Sequence, residues 1–161
     1  MVSAEPSVEE VWKALGEVAD PEIPVLSVLD MKIVRNVTLN NGSVRIEITP
    51  TFAGCPAMDQ IQADIRAKLL ERGFSSVEVK KNLSGAWSSD MLDSTSREKL
   101  RAFGIAPPAP VQMDLANAPP VLCPHCKSDK THLESPFGPT LCRQIFYCDS
   151  CRQSFERFKT L

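Results

Sequence analysis

Hydrophobic positions recur every three or four residues near the start of the chain, as Val8, Val11, Trp12, Leu15, Val18 and Ala19. Ser7 precedes the run with Glu10 three places on, and Asp20-Pro21 stops it. This spacing predicts an amphipathic helix opened by a capping box. Residues 33–39 and 44–49 are apolar-rich, and Val44, Ile46 and Ile48 alternate with Arg45, Glu47 and Thr49. Such alternation marks a strand with one covered face, and the Asn40-Asn41-Gly42 step between the two segments predicts a hairpin.

Met58, Ile61, Ile65 and Leu69 then line one face of a second predicted helix, which Gly73 closes. Proline favours a first helical position, so Cys55-Pro56 places Cys55 at the N-cap. A third strand is predicted around residues 77–79. Trp87, a Thr95 and Glu98 capping pair, Leu100, Phe103 and Gly104 predict a short last helix. The expected fold is therefore a small α/β (α+β) sandwich over residues 1–105, in the order helix, hairpin, helix, strand, helix. Residues 106–120 hold five prolines and read as a linker, and residues 121–161 read as a four-cysteine β ribbon.

Composition adds mainly exclusions. The 161 residues are 43% hydrophobic and 24% charged, with a net charge of -2, which gives no global attraction for nucleic acid or an anionic membrane. No apolar run approaches the roughly 20 residues that span a bilayer. The first residues lack the basic and apolar regions of a secretion signal, so a cytoplasmic location is expected.

Six cysteines in such a chain point to metal ligands or reactive thiols. Cys123-Pro124-His125-Cys126 and Cys148-Asp149-Ser150-Cys151 form two C-x-x-C pairs with 21 residues between them. Each pair can wrap one edge of a tetrahedral ion, and four thiolates suit zinc best, with mononuclear iron or a cluster left open. A closed site of this kind folds its segment and offers no position for catalysis. His125 and His132 are left out of the ligand set. Cys142 lies six residues before Cys148, roughly 20 Å away in an extended strand at about 3.3 Å per residue, and so misses the metal. It reads either as a small buried hydrophobe or as a thiol acting with Cys55. At a helix N-cap, Cys55 is expected to have a lowered pKa and to act as a ligand or nucleophile, the alternative being an inert buried cysteine. No histidine in its domain completes a catalytic pair, so no catalytic residue is assigned. Asp20 and Glu22 are either oxygen ligands and acceptors or the solvated stop of the first helix.

Three stretches taken together carry a resemblance: Asp20-Pro21-Glu22-Ile23-Pro24-Val25, Thr49-Pro50-Thr51 through Gly54-Cys55-Pro56-Ala57, and Arg97-Glu98-Lys99-Leu100-Arg101 with Gly104-Ile105-Ala106-Pro107-Pro108. With the ribbon, they resemble the metal-sulfur cluster biosynthesis family that includes bacterial SufT, and within it the PaaD (PaaJ) members encoded with phenylacetyl-CoA epoxidase. The resemblance implies a maturation factor and not an enzyme, with Cys55 and Cys142 as cluster-transfer or reactive thiols and Asp20 and Glu22 in support. It implies structural zinc, a transient iron-sulfur cluster, and as partners the epoxidase components, especially the iron-sulfur reductase, with a homodimer left open. Where relatives commonly read Asp-Leu-Gly, this chain has Asp30-Met31-Lys32, so the turn beside Asp30 is expected to differ. A zinc-ribbon module for nucleic acid or protein, and a structural subunit of the oxygenase, are the competing readings.

Overall fold

The computed structural model describes residues 7–111 and 118–161; residues 112–117, in the middle of the proline-rich segment read as a linker, lie outside the described residues. The fold is α+β with two sheets, and its contacts gather into two units, one ending at Trp87 and the other beginning at Ser88.

In the first unit, helix α1 (Val8–Leu15) opens with the reciprocal Ser7 and Glu10 capping box. It buries Val11, Ala14 and Leu15, while Val8 and Trp12 stay 41% and 39% exposed. The helix is short and its buried stripe narrow, and Val18 reaches the core from the turn that follows. Strands β1 (Val34–Asn40) and β2 (Ser43–Ile48) pair antiparallel through Asn41 and Gly42. Both turn residues have positive φ, 48° and 77°, as a two-residue type I′ turn requires. Helix α2 (Ala57–Glu71) then returns the chain to β3 (Ser76–Lys81), which pairs parallel to β2 and makes β2 the central strand. Val44, Ile46 and Ile48 of β2 and Ile61, Ile65 and Leu69 of α2 are almost wholly buried. The turn at Ser27 is held by Asp30, whose carboxylate accepts from the Ser27 N–H at 2.9 Å and its hydroxyl at 3.0 Å. Lys32 takes φ 56°, so this turn keeps the left-handed conformation that glycine would adopt more readily.

In the second unit, helix α3 (Ser94–Phe103) is capped by Asp93, which accepts from the Ser96 N–H at 2.8 Å, and not by the Thr95 and Glu98 pair. After Gly104 at φ 94°, strand β4 (Ile105–Ala106) pairs parallel with β7 (Gln153–Phe158). Strands β5 (Thr131–Ser135) and β6 (Arg143–Cys148) complete a sheet ordered β4-β7-β6-β5. The proline-rich segment is therefore anchored where it begins. Arg97 donates to the Pro108 carbonyl at 2.6 Å, and the Val111 N–H donates to Asp90 at 3.1 Å. By contacts, α3 and residues 105–111 group with the ribbon, whereas sequence periodicity assigns residues up to 105 to the first domain. The reason is a two-residue strand whose partner lies about fifty positions away, a pairing no local pattern displays. The ribbon's apolar cluster is small, Ala106, Cys123, Phe146, Cys148 and Phe155, with Phe158 of β7 also fully buried.

Candidate functional site

The two C-x-x-C pairs stand on matching turns. The Lys127 N–H donates to the Cys123 carbonyl at 2.9 Å and the Arg152 N–H to the Cys148 carbonyl at 2.8 Å. Lys127 and Arg152 both take positive φ, 66° and 59°, which turns each loop back after its second cysteine. The four sulfurs of Cys123, Cys126, Cys148 and Cys151 all lie within 4.8 Å of one another. Cys123 and Cys151 are 3.7 Å apart across the pairs, and Cys126 and Cys148 3.6 Å. A tetrahedron with bonds of about 2.3 Å has edges of about 3.8 Å, so the spacing fits four thiolates on one ion. All six cysteines are free of disulfides.

The N–H of Cys151, with that of Ser150, faces the Cys148 sulfur and brings its thiol down to about 7. Burial, followed by the neighbouring Cys148 sulfur, pushes Cys151 up to about 12.

Cys55 sits half-buried in the first unit, at the end of the loop that runs from Thr49 through Gly54, whose φ of 83° bends the chain into α2. Two corrections apply to it. The N-cap is Pro56, one residue later, although the N–H groups of Ala57 and Met58 still reach the Cys55 sulfur. Its pKa is raised and not lowered, because burial outweighs those N–H groups and the carboxylates of Glu22 and Asp20 add to it. The structure thus brings Asp20 and Glu22 into the electrostatic neighbourhood of Cys55. Among the described residues, however, the four ribbon cysteines are the only group of three or more potential ligands gathered within 4.8 Å. Glu22→Gln should therefore lower the Cys55 pKa and speed its alkylation by iodoacetamide at neutral pH, an unchanged rate counting against the carboxylate's influence. The raised pKa also favours the folded unit below the ordinary thiol range, a contribution lost as pH rises through the folded value.

Asp20 is 7% exposed, and its carboxylate accepts from the N–H groups of Glu22 at 2.8 Å and Ile23 at 2.9 Å. It builds the loop that carries Glu22, so it is more than a solvated stop. Asp20→Ala should destabilise the first unit by about 2–4 kcal/mol by leaving two N–H groups without an acceptor, and Asp20→Asn by less, since one oxygen remains. Denaturant unfolding of the two variants would test this, equal losses contradicting it.

Cys142 is buried, its sulfur 3.2 Å from the Thr140 hydroxyl, and it is outside the four-sulfur group. It belongs to the second unit and Cys55 to the first. His132 is 3.3 Å from Asp149 and tilted against Tyr147, and His125 is exposed. Sequence reasoning passed over Thr49, whose buried hydroxyl has no hydrogen-bond partner and lies 3.1 Å from where a Cβ on Gly85 would stand. Its signal was the Thr49-Pro50-Thr51 stretch.

A thiol-bearing α+β unit joined to a four-cysteine ribbon defines a metal-handling protein of two parts. Residues 8–80 match the family model described as iron-sulfur cluster assembly protein, and residues 107–159 that described as the PaaD zinc beta ribbon domain. The chain belongs to the PaaD family. It is 42% identical over 158 residues to an Escherichia coli (strain K12) protein described as one subunit of a "Putative 1,2-phenylacetyl-CoA epoxidase", covering 98% of this chain and 96% of that one. It is 33% identical over 94 residues, 57% of this chain and 89% of the other, to the Fe-S protein maturation auxiliary factor of Porphyromonas gingivalis. A domain of unknown function, DUF59, from Bacillus anthracis superposes with a TM-score of 0.54 at 25% identity, over 57% of this chain and 89% of that one. A conserved hypothetical protein from Thermotoga maritima does so with a TM-score of 0.53 at 26% identity, over 61% and 97%. Among the described residues no helix is long and apolar enough to cross a membrane.

Proposed function

We propose that this chain is a non-catalytic, cytoplasmic accessory protein that matures the iron-sulfur or other metal cofactor of a multicomponent phenylacetyl-CoA epoxidase, with the iron-sulfur reductase as its first client. The observation that carries this reading is the end-to-end likeness to the E. coli protein named for that epoxidase, combined with an assembly-type domain whose one cysteine lies near two carboxylates. In this reading Cys123, Cys126, Cys148 and Cys151 hold one zinc ion. Zinc would supply four strong bonds and no redox chemistry, which suits a ribbon with a small core.

Cys55 is the working thiol. At rest it is protonated, because burial and the charges of Glu22 and Asp20 oppose a bare thiolate. The same carboxylates favour a cation. Iron delivered to the sulfur would displace the thiol proton, and the nearby negative charge would offset part of the ion's charge. A metal or cluster is in this sense cargo, exchanged against a proton, and Asp20 and Glu22 set the balance between them. Cys142, buried in the other unit, has a packing role in this account.

The test is to produce the epoxidase components with and without this chain and measure their iron and sulfide. Client made without it should be under-metallated, while fully matured components should turn over normally in its absence. Full metal content in its absence would overturn the proposal, and a need for the chain in every turnover would favour a structural subunit instead.

A further inference from the structure

The stretch from Arg97 to Pro108 takes no part in the metal centre or the Cys55 site, yet it forms one wall of a cavity of about 350 Å³ within the second unit. That is the size range of small-molecule sites. Among the described residues, four cations line it, Arg97, Arg101, Lys127 and Arg157, and no carboxylate does. Apart from Cys123, the other lining residues are apolar, Ala106, Pro108 and Val121 among them.

The state of these cations is informative. Arg97 donates to the carbonyls of Ser89, Leu92 and Pro108, which fixes its guanidinium without neutralising it. Arg101 is paired with Glu98 at 3.0 Å. Arg157 lies 5.5 Å over the Phe146 ring, and its buried Nε has no hydrogen-bond acceptor. A buried guanidinium N–H without an acceptor is unfavourable until something accepts from it. Among the described residues Lys127 also has no ion-pair partner. A divalent ion on four thiolates would leave two negative charges next to Cys123, which offsets two of the cations, and Glu98 offsets a third. Positive charge still remains in the pocket.

We propose that this pocket binds a phosphate ester of about nucleotide size, its phosphate held by Arg157, Lys127 and Arg101 and its organic part against the apolar wall. Guanidinium groups suit phosphate because their paired N–H donors match two of its oxygens. A walled cavity in a chain of net charge -2 favours a small ester over a nucleic-acid polymer, which would need a continuous basic surface. The inference is independent of cluster maturation and holds or fails without it.

The full-length, zinc-loaded protein should be titrated by calorimetry at low salt with adenosine 3′,5′-bisphosphate, inorganic phosphate and a short single-stranded oligonucleotide. The nucleotide should bind saturably with a Kd below about 1 mM, more tightly than phosphate. Arg101→Gln and Lys127→Gln should each weaken it by about tenfold or more, the value of one charged hydrogen bond, with zinc content and melting temperature unchanged. Arg101 is on an exposed helix face, so its variant keeps the test open should Lys127→Gln disturb the adjoining turn. Absence of saturable nucleotide binding would overturn the proposal, as would phosphate binding equally well, the oligonucleotide binding more tightly, or both variants losing zinc while nucleotide affinity stays intact.

Discussion

Cys126→Ser, or stripping the metal with a chelator, should unfold the whole unit from Ser88 to Leu161 and leave the unit that ends at Trp87 intact. Structural zinc on thiolates contributes about 10–16 kcal/mol, comparable with or larger than the roughly 5–15 kcal/mol that keeps an entire domain folded. The ribbon has little to set against that loss. The apolar cluster beside the thiols holds five buried residues, two of them cysteines of the four-sulfur group, Phe158 of β7 is fully buried as well, and Leu133 on β5 is 48% exposed. Because β4 pairs with β7, the loss should reach upstream to α3, beyond the ribbon proper. Hydrogen exchange and limited proteolysis of the metal-free protein would map the affected segment. Native protease resistance of residues 121–161 without metal would contradict the expectation, and protection of α3 would confine the effect to the ribbon.

Cys55→Ser should leave this chain folded and its zinc content unchanged, and should leave its client short of iron and sulfide by most of the normal amount. Serine is close in size and its oxygen can accept from the N–H groups of Ala57 and Met58 as the sulfur does, but it lacks affinity for soft metals. The defect therefore falls in the client and not in the variant itself. Client metal equal to wild type would rule out Cys55 as the working thiol. Asp20 variants give a less direct answer, because that carboxylate also holds the Glu22 and Ile23 N–H groups, and a slower maturation could follow from a loosened loop. Glu22→Gln is the cleaner probe of charge.

Much of this fold was legible because the signals were local. The Ser7 and Glu10 box, the Asn41-Gly42 turn and the buried face of α2 each lie within a few residues and override little. The cysteine pairs were legible for the same reason, since each turn is closed within five positions. What sequence reasoning missed depended on residues far apart. The rise in the Cys55 pKa comes from burial and from carboxylates more than thirty positions upstream, so a rule about helix ends gives the wrong sign. Lys32 shows a limit of another kind, a lysine holding a positive φ because the turn around Ser27 and Asp30 is already fixed. The pocket cations were invisible as a group, since Arg97, Lys127 and Arg157 lie far apart in the sequence yet line one cavity.

The short strand β4 also determines how the ribbon can be cut from the chain. A fragment beginning at residue 121 would leave the β7 backbone without the Ile105 and Ala106 pairing and expose it as an open sheet edge, the kind of surface on which chains add to one another. A fragment beginning at Ser88 keeps that edge covered. It also keeps the clasp in which the Ser89 N–H donates to the Leu161 carbonyl at 2.9 Å and the Leu161 N–H donates to the Ser89 hydroxyl at 3.1 Å. The two residues of β4 thus act as a guard strand over the β7 edge.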